Sequence, residues 1–203
     1  MTLNLPSGFR PWAVIPAKRF GRAKTRLGAT LLAGERRELA QTLFERVLAA
    51  CRGCSELCAT LVATDGDDVA ALAARRGARV VRDREPAAAS LAAVVDGALA
   101  VARSGGATHA LVVMADLPRV EARDVRELLA LMRDAGVVLA PDVQRRGTSA
   151  LGVELALGLR TAFGSGESLQ RHLRAAEQLG AHRRLLYNPR LALDLDVPED
   201  LDR

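Results

Sequence analysis

Apolar and polar positions along the chain change period again and again, and each change marks an element. PWAVIPA (residues 11–17) is a short apolar run bounded by prolines and predicts a strand. Residues 17–34 hold no sustained period and contain glycines, which predicts a loop with a short helical piece. Leu39, Leu43, Val47 and Ala50 then recur at helical spacing, with Glu35 in the first turn, so 35–50 reads as a helix. CATLVATD is the next strand, DDVAALAARRG a helix closed by Gly77, and ARVVRD a third strand. ASLAAVVDGALAVARSGG is a long alanine-rich helix with glycine at its C-terminal end. THALVVMADLP is a buried strand stopped by Pro118, ARDVRELLALMRDAG an amphipathic helix, and VVLAPD another strand. Residues 143–168 are rich in glycine and serine, with a strand at SALGVEL. The helix SLQRHLRAAEQLG then leads into two short strands, around RRLLY and LALDL.

This alternation predicts an α/β fold in which helices cover both faces of a mixed, mostly parallel sheet. No repeat, linker or second core interrupts it, so residues 1–203 form one domain. No apolar run approaches the roughly 18 residues of a membrane span. The N-terminal MTLNLPSGFRPW lacks the apolar core of a signal peptide. A soluble cytoplasmic protein without membrane contact is the expectation.

The net charge of +5 raises the question of nucleic acid, but the sequence argues against it. Its six aromatic residues are scattered, which leaves no platform for stacking bases. The arginines stand beside acidic residues on predicted helices and read as solvated faces. More informative is the contrast of 27 arginines with two lysines, Lys18 and Lys24, both in the loop after the first strand. Lysine offers a compact, flexible ammonium where a planar guanidinium is a different tool. Cys51, Cys54 and Cys58 lack a nearby histidine as a fourth ligand and are expected to be buried free thiols.

Neither a Walker A motif nor G-x-G-x-x-G is present, and the three histidines lie far apart with no nucleophile elbow. Two features remain. Lys18, Arg19, Arg22, Lys24 and Arg26 follow the first strand, where ligands bind in open α/β sheets, and suit a polyphosphate. Asp116 follows the strand ALVVMA, and Asp194 and Asp196 end the predicted strand LALDL. Carboxylates from separate strand ends beside a cationic loop are what a Mg²⁺–triphosphate site needs; the plainer alternative is ordinary strand-end or helix-capping aspartates. GSGES, at a helix start, offers backbone N–H groups to an anion or is simply a turn.

Taken in order, PAKRFGRAKTRLG, MADLP, PDVQRRGTSALGV, FGSGESLQRHL and LALDLDVPEDL resemble the 2-phospho-L-lactate or phosphoenolpyruvate guanylyltransferases of coenzyme F(420) biosynthesis. These are relatives of the molybdenum-cofactor nucleotidyltransferases, and the resemblance covers residues 12–201. It implies a Rossmann-like nucleotidyltransferase fold, GTP and Mg²⁺, pyrophosphate as a product, and a downstream transferase as functional partner. It also implies roles. Lys18, Lys24, Arg26 and Asp116 would be catalytic, and Pro16, Ala17, Lys18, Lys24, Asp83 and Leu91 would hold the nucleotide. Thr148, Gly164, Gly166 and Ser168 would hold the phosphorylated acid, and Asp116, Asp196 and Asp194 the metal.

Two departures bear on substrate choice. Leu91–Ala92 stands where the family commonly has Leu–Asn, and Glu167 is an added residue before Ser168. A carboxylate beside an anionic substrate is unfavourable unless it faces away or binds metal, and 3-phosphoglycerate is a further candidate acid. Alternatives are a related nucleotidyl- or sugar-transferase, and a nucleotide-binding regulator without turnover.

Overall fold

β1 (Pro11–Pro16), β2 (Ala59–Thr64), β3 (Arg79–Arg82) and β4 (His109–Val113) lie parallel to one another in the sheet. β6 (Thr148–Glu154) runs antiparallel to both β4 and β5 (Val137–Pro141), and β7 (Arg183–Leu185) pairs in parallel with β5. The order across the seven-stranded sheet is β3-β2-β1-β4-β6-β5-β7. This computed structural model describes residues 8–82, 90–196 and 200. The expected mixed, mostly parallel sheet is present, with β6 as its antiparallel member.

Alternation along β1 sorts the core into two layers. Ala13 and Ile15 face one side, where α1 (Ala33–Arg52), α2 (Asp67–Arg75) and α4 (Ala122–Leu131) bring Phe44, Leu72 and Leu128. Trp12 and Val14 face the other, against Val95 and Leu99 of α3 (Leu91–Ser104) and Leu169 of α5 (Ser168–Gln178). Each large strand side chain buried in this way, such as Ile15 or Val14, contributes roughly 1.5–3 kcal/mol, which is why the period-two and helical patterns dictate the layers. Among the described residues no helix is long and apolar enough to cross a membrane.

Three details differ from expectation. The strand at THALVVMADLP ends at Val113, well before Pro118, so Asp116 sits three residues beyond it in a loop. LALDL is not a strand. Pro189 stands at the start of the helical turn α6 (Pro189–Ala192), and the Asn188 side chain caps it by accepting from Arg190 N–H; a residue with φ fixed near −65° favours such a turn. Leu191, fully buried, belongs to that turn, and 193–196 continue without pairing. Finally, Cys51 and Cys54 are buried, but Cys58 is exposed at the entry to β2, where its N–H bonds to the Pro11 carbonyl.

α6 is tied to α4 by a buried polar cluster. Asp124, with no exposed surface, accepts from Asn188 Nδ2 at 2.8 Å and from Arg190 Nε at 3.0 Å. That anchor fixes where the following tail, residues 193–196, meets the sheet edge.

Candidate active site

The strand order reverses between β1 and β4. From β1 the chain moves outward to β2 and β3, then crosses back to β4, and the crevice at such a reversal is where open α/β sheets bind ligands. A cleft of about 690 Å³ opens there. It is lined by Pro16, Ala17 and Lys18 after β1, by Thr64 and Asp65 after β2, and by Met114, Ala115 and Asp116 after β4.

The loop after β1 is held rigidly. Ala17 N–H bonds to the Ala63 carbonyl at 2.9 Å. Asp65 accepts from the Arg19 backbone N–H at 3.0 Å and from its Nε at 3.2 Å. Gly66 allows this clamp, because a Cβ there would lie 2.6 Å from Arg19 Cα. The chain then makes two short 3-10 turns, Phe20–Arg22 and Thr25–Ala29, with Lys24 between them at φ 54°, ψ 35°. A lysine in the left-handed region costs about 1–2 kcal/mol and needs a compensating contact.

The contact is an ion-pair cluster. Lys24 Nζ lies 2.8 Å from Asp116 Oδ2 and 3.1 Å from Asp196 Oδ1. Arg26 reaches the other oxygen of Asp196 at 3.3 Å. The Lys24 side chain is only 5% exposed. Burial works to lower its pKa, but the charges and hydrogen bonds of Asp116 and Asp196 outweigh burial and hold it above the usual lysine value. The tail is stitched to the β4 loop by Leu195 N–H to the Asp116 carbonyl, at 3.4 Å. Asp194 is half-buried; burial first, then the charges of Asp116 and Asp196, push its carboxyl up to about 6.

A second pocket, of about 490 Å³, adjoins the first. Thr148, Ser168, Gly164, Gly166 and Asp194 line it. Because β6 is antiparallel, its first residue arrives at the same sheet edge as the carboxyl ends of the parallel strands, which is how Thr148 enters the site. Gly164, at φ +82°, brings its loop against the start of α3, and a Cβ there would lie 3.2 Å from Leu91 Cβ. The loop is further tied to α3 by Thr161, whose N–H bonds to Asp96 at 3.0 Å and whose hydroxyl bonds to the Ala92 carbonyl at 3.3 Å. Both pockets share Arg26, Leu91, Met114, Asp116 and Asp196.

Most of the residues singled out in the sequence therefore converge. Lys18 is exposed at the first cleft without an ion-pair partner among the described residues. Arg26, Asp116 and Asp196 belong to the shared wall, with Lys24 on the first-cleft side and Asp194 on the second-pocket side. Asp83 lies outside the described residues. Glu167 is exposed and does not line the second pocket, so its charge faces away. Sequence reasoning passed over Asp65, Asp96, Arg146 and His172. The signal for His172 was its place one helical turn after Ser168, on the same face.

Among the described residues no three His, Cys, Asp or Glu side chains form a metal cage. The donor set nonetheless fits a hard divalent cation. Mg²⁺ is usually held by one or two carboxylates plus substrate phosphates, and here an ammonium already bridges two carboxylates next to a third with a raised pKa.

The sequence profile of the family described as "Guanylyl transferase CofC like" matches residues 12–203. The chain belongs to this family. A phosphoenolpyruvate guanylyltransferase of Chloroflexus aggregans is 39% identical over 191 residues, covering 92% of this chain and 93% of that protein. A 3-phospho-D-glycerate guanylyltransferase of Phenylobacterium zucineum is 34% identical, covering 88% and 82%. Among solved structures, a putative nucleotide-diphospho-sugar transferase from Desulfovibrio desulfuricans G20 superposes with a TM-score of 0.76 at 16% identity, covering 96% of this chain and 85% of that one. That likeness concerns the fold, which is the Rossmann-like nucleotidyltransferase fold.

Proposed function

We propose that the whole chain, as one soluble cytoplasmic domain, transfers GMP from GTP to the phosphate of a small phosphorylated acid and releases pyrophosphate. Its product would enter coenzyme F(420) biosynthesis. The observation that carries this reading is the shared wall. Two pockets, one after β1 and one at the start of β6, meet at Asp116, Asp196 and Arg26. Such a wall suits two anionic substrates whose phosphates must touch.

In this reading GTP lies in the larger cleft along Pro16, Ala17 and Leu91, with the exposed Lys18, Arg22 and Arg26 around it and the largely buried side chain of Lys24 against the triphosphate side. The acid occupies the second pocket, its anionic groups against Thr148, Ser168 and the 164–168 loop. A phosphomonoester has its second pKa near about 6 and is largely dianionic at neutral pH, so no protein base has to activate it. That agrees with the histidines: His109 and His182 line neither pocket, and His172 is fully buried. The obstacle is repulsion between the two anions, and positioned cations lower it at the moment charge accumulates. Asp116 and Asp196 would hold Mg²⁺, with Asp194 beside them, and the ion when bound supplies charge neutralisation between the phosphates. The mixed diphosphate product is reactive, so a transferase that consumes it is the expected functional partner.

The test is Mg²⁺-dependent pyrophosphate release with GTP, ATP, CTP and UTP against phosphoenolpyruvate, 2-phospho-L-lactate and 3-phosphoglycerate. GTP with one of these acids should stand alone. Asp116→Ala and Lys18→Ala should each lower turnover at least about 100-fold, the scale of a lost electrostatic stabiliser. A wild-type rate in Asp116→Ala would remove that residue from the centre, and equal rates with all four nucleotides would remove the guanylyl assignment.

A further inference from the structure

His172 takes no part in the chemistry above, yet it stands directly behind Thr148, a lining residue of the acceptor pocket. It stands on α5 one turn after Ser168, with no exposed surface, against the edge of the Phe163 ring at 4.9 Å between centroids. Its two ring nitrogens have different partners. The backbone N–H of Ala162 lies 2.8 Å from Nε2. A backbone amide only donates, so Nε2 presents its lone pair and the proton of the neutral ring is on Nδ1. Burial, opposed by the charge of Asp96, holds the ring's pKa down to about 4, so it is neutral at working pH.

Nδ1 is 3.0 Å from Thr148 Oγ1 and donates to it. Ser168 Oγ lies 3.3 Å from the same oxygen. Thr148 and Ser168 together hold two hydroxyl protons and share one hydrogen bond. With the imidazole donating, that bond uses one proton, and the other has no further side-chain partner among the described residues. With the opposite tautomer, Thr148 would donate to the ring and Ser168 to Thr148, and no proton would remain. Both residues line the second pocket. The ring therefore decides whether that wall of the pocket donates a hydrogen bond or has none to give.

We propose that His172 is a positioning residue for the acceptor substrate: it makes the Thr148–Ser168 hydroxyl pair a committed hydrogen-bond donor to an anionic oxygen of the phosphorylated acid. The proposal rests on the acceptor pocket assigned above. It is separable from a simple packing role, because the 159–168 loop has its own attachments to α3 through Thr161, Asp96 and Ala92.

Nitrogen-15 NMR of the imidazoles in the wild-type protein tests the first step without any substitution. The expected state is a protonated Nδ1 and a bare Nε2, and the reverse tautomer overturns the proposal. The second step compares His172→Gln, Thr148→Val and Thr148→Ser. Glutamine places a carbonyl oxygen where Nε2 accepts from Ala162 and has no nitrogen at the Nδ1 position that faces Thr148; valine removes the hydroxyl; serine keeps it. His172→Gln and Thr148→Val should each weaken acid binding, read as KM and as calorimetric Kd for 3-phosphoglycerate and phosphoenolpyruvate. The expected loss is about 10- to 100-fold, as for a lost hydrogen bond to a charged group. Their double variant should be no worse than the weaker single. Thr148→Ser, which keeps the hydroxyl, should lose clearly less than Thr148→Val, and the KM for GTP should hold within about twofold. Additive losses, or an equal rise in the KM for GTP, would reduce His172 to packing. The binding arm needs no turnover. A wild type that binds the acid without transfer defeats the guanylyl reading and leaves the donor pair standing, whereas a wild type that binds no acid defeats both.

Discussion

Lys24 is the residue whose removal most directly probes how the site balances charge. Its ammonium lies within 3.1 Å of two carboxylates, with the side chain 5% exposed, Asp116 22% and Asp196 43%. Lys24→Met keeps the length and the left-handed backbone while deleting the charge; glycine would relieve the backbone strain at φ 54° and blur the result. Breaking a fully buried pair costs about 3–5 kcal/mol, and an exposed pair contributes about 0–1 kcal/mol. With one carboxylate a fifth exposed and the other two-fifths, the expected destabilisation is about 2 kcal/mol by urea denaturation without metal. Adding Mg²⁺ should then stabilise Lys24→Met more than wild type, because in the variant the cation meets two uncompensated carboxylates. If the variant equals wild type without metal, the ammonium does not offset the carboxylates. If Mg²⁺ leaves the gap unchanged, the metal does not bind at Asp116 and Asp196.

Asp194→Asn should stabilise the metal-free protein while lowering turnover. A carboxyl whose folded pKa is raised from 3.8 to about 6 carries a penalty that is absent at low pH, grows through that window and is complete above it. Discounted for solvent screening, the gain is about 1–2 kcal/mol above pH 6 and vanishes below the lower value, read from urea midpoints across pH; no gain above pH 6 would contradict the burial argument. Asp124 behaves oppositely. Burial works to raise its pKa, but Arg190, Asn188 and the backbone of Glu121 hold it below the usual range, so its contribution is present at neutral pH and lost as pH falls through the folded value. Asp124→Asn should cost about 3 kcal/mol at neutral pH, with the gap to wild type closing in acid. Gly164→Ala, at φ +82° against Leu91, should cost about 1–2 kcal/mol and weaken acid binding more than GTP binding in calorimetry.

The elements were legible because burial on two faces of one sheet imposes periods that the sequence obeys, from PWAVIPA to SLQRHL. LALDL misled because its leucines at 191, 193 and 195 mimic strand alternation. The rule that applied there was local: an asparagine cap followed by proline starts a turn whatever the leucine spacing. The basic loop and Asp116 could be placed at the carboxyl edge from strand order alone. The pairing of Lys24 with residues 92 and 172 positions away could not, since nothing local encodes it. Nor could the role of His172, which depends on which ring nitrogen meets a backbone amide.

In the proposed function, the antiparallel strand β6 is what lets two substrates meet in this fold. A purely parallel sheet presents only strand ends and the helix starts after them at its functional edge. Reversing β6 beside β4 brings the beginning of a strand, Thr148, to that edge, directly alongside the β4 loop that carries Asp116. The loop before α5 then closes over it, and Leu169 N–H bonds to the Arg146 carbonyl at 3.0 Å. The second pocket is thus built where the start of an antiparallel strand meets the loop after β4, while the larger cleft keeps the ordinary reversal-point position between β1 and β4. In the proposed function the carboxylates of the shared wall gather cations, and the Lys24 ammonium, 5% exposed, holds Asp116 and Asp196 in place until substrate arrives. Lys24 makes this contact from a left-handed backbone at φ 54°, so the strained position and the paired carboxylates belong to one arrangement.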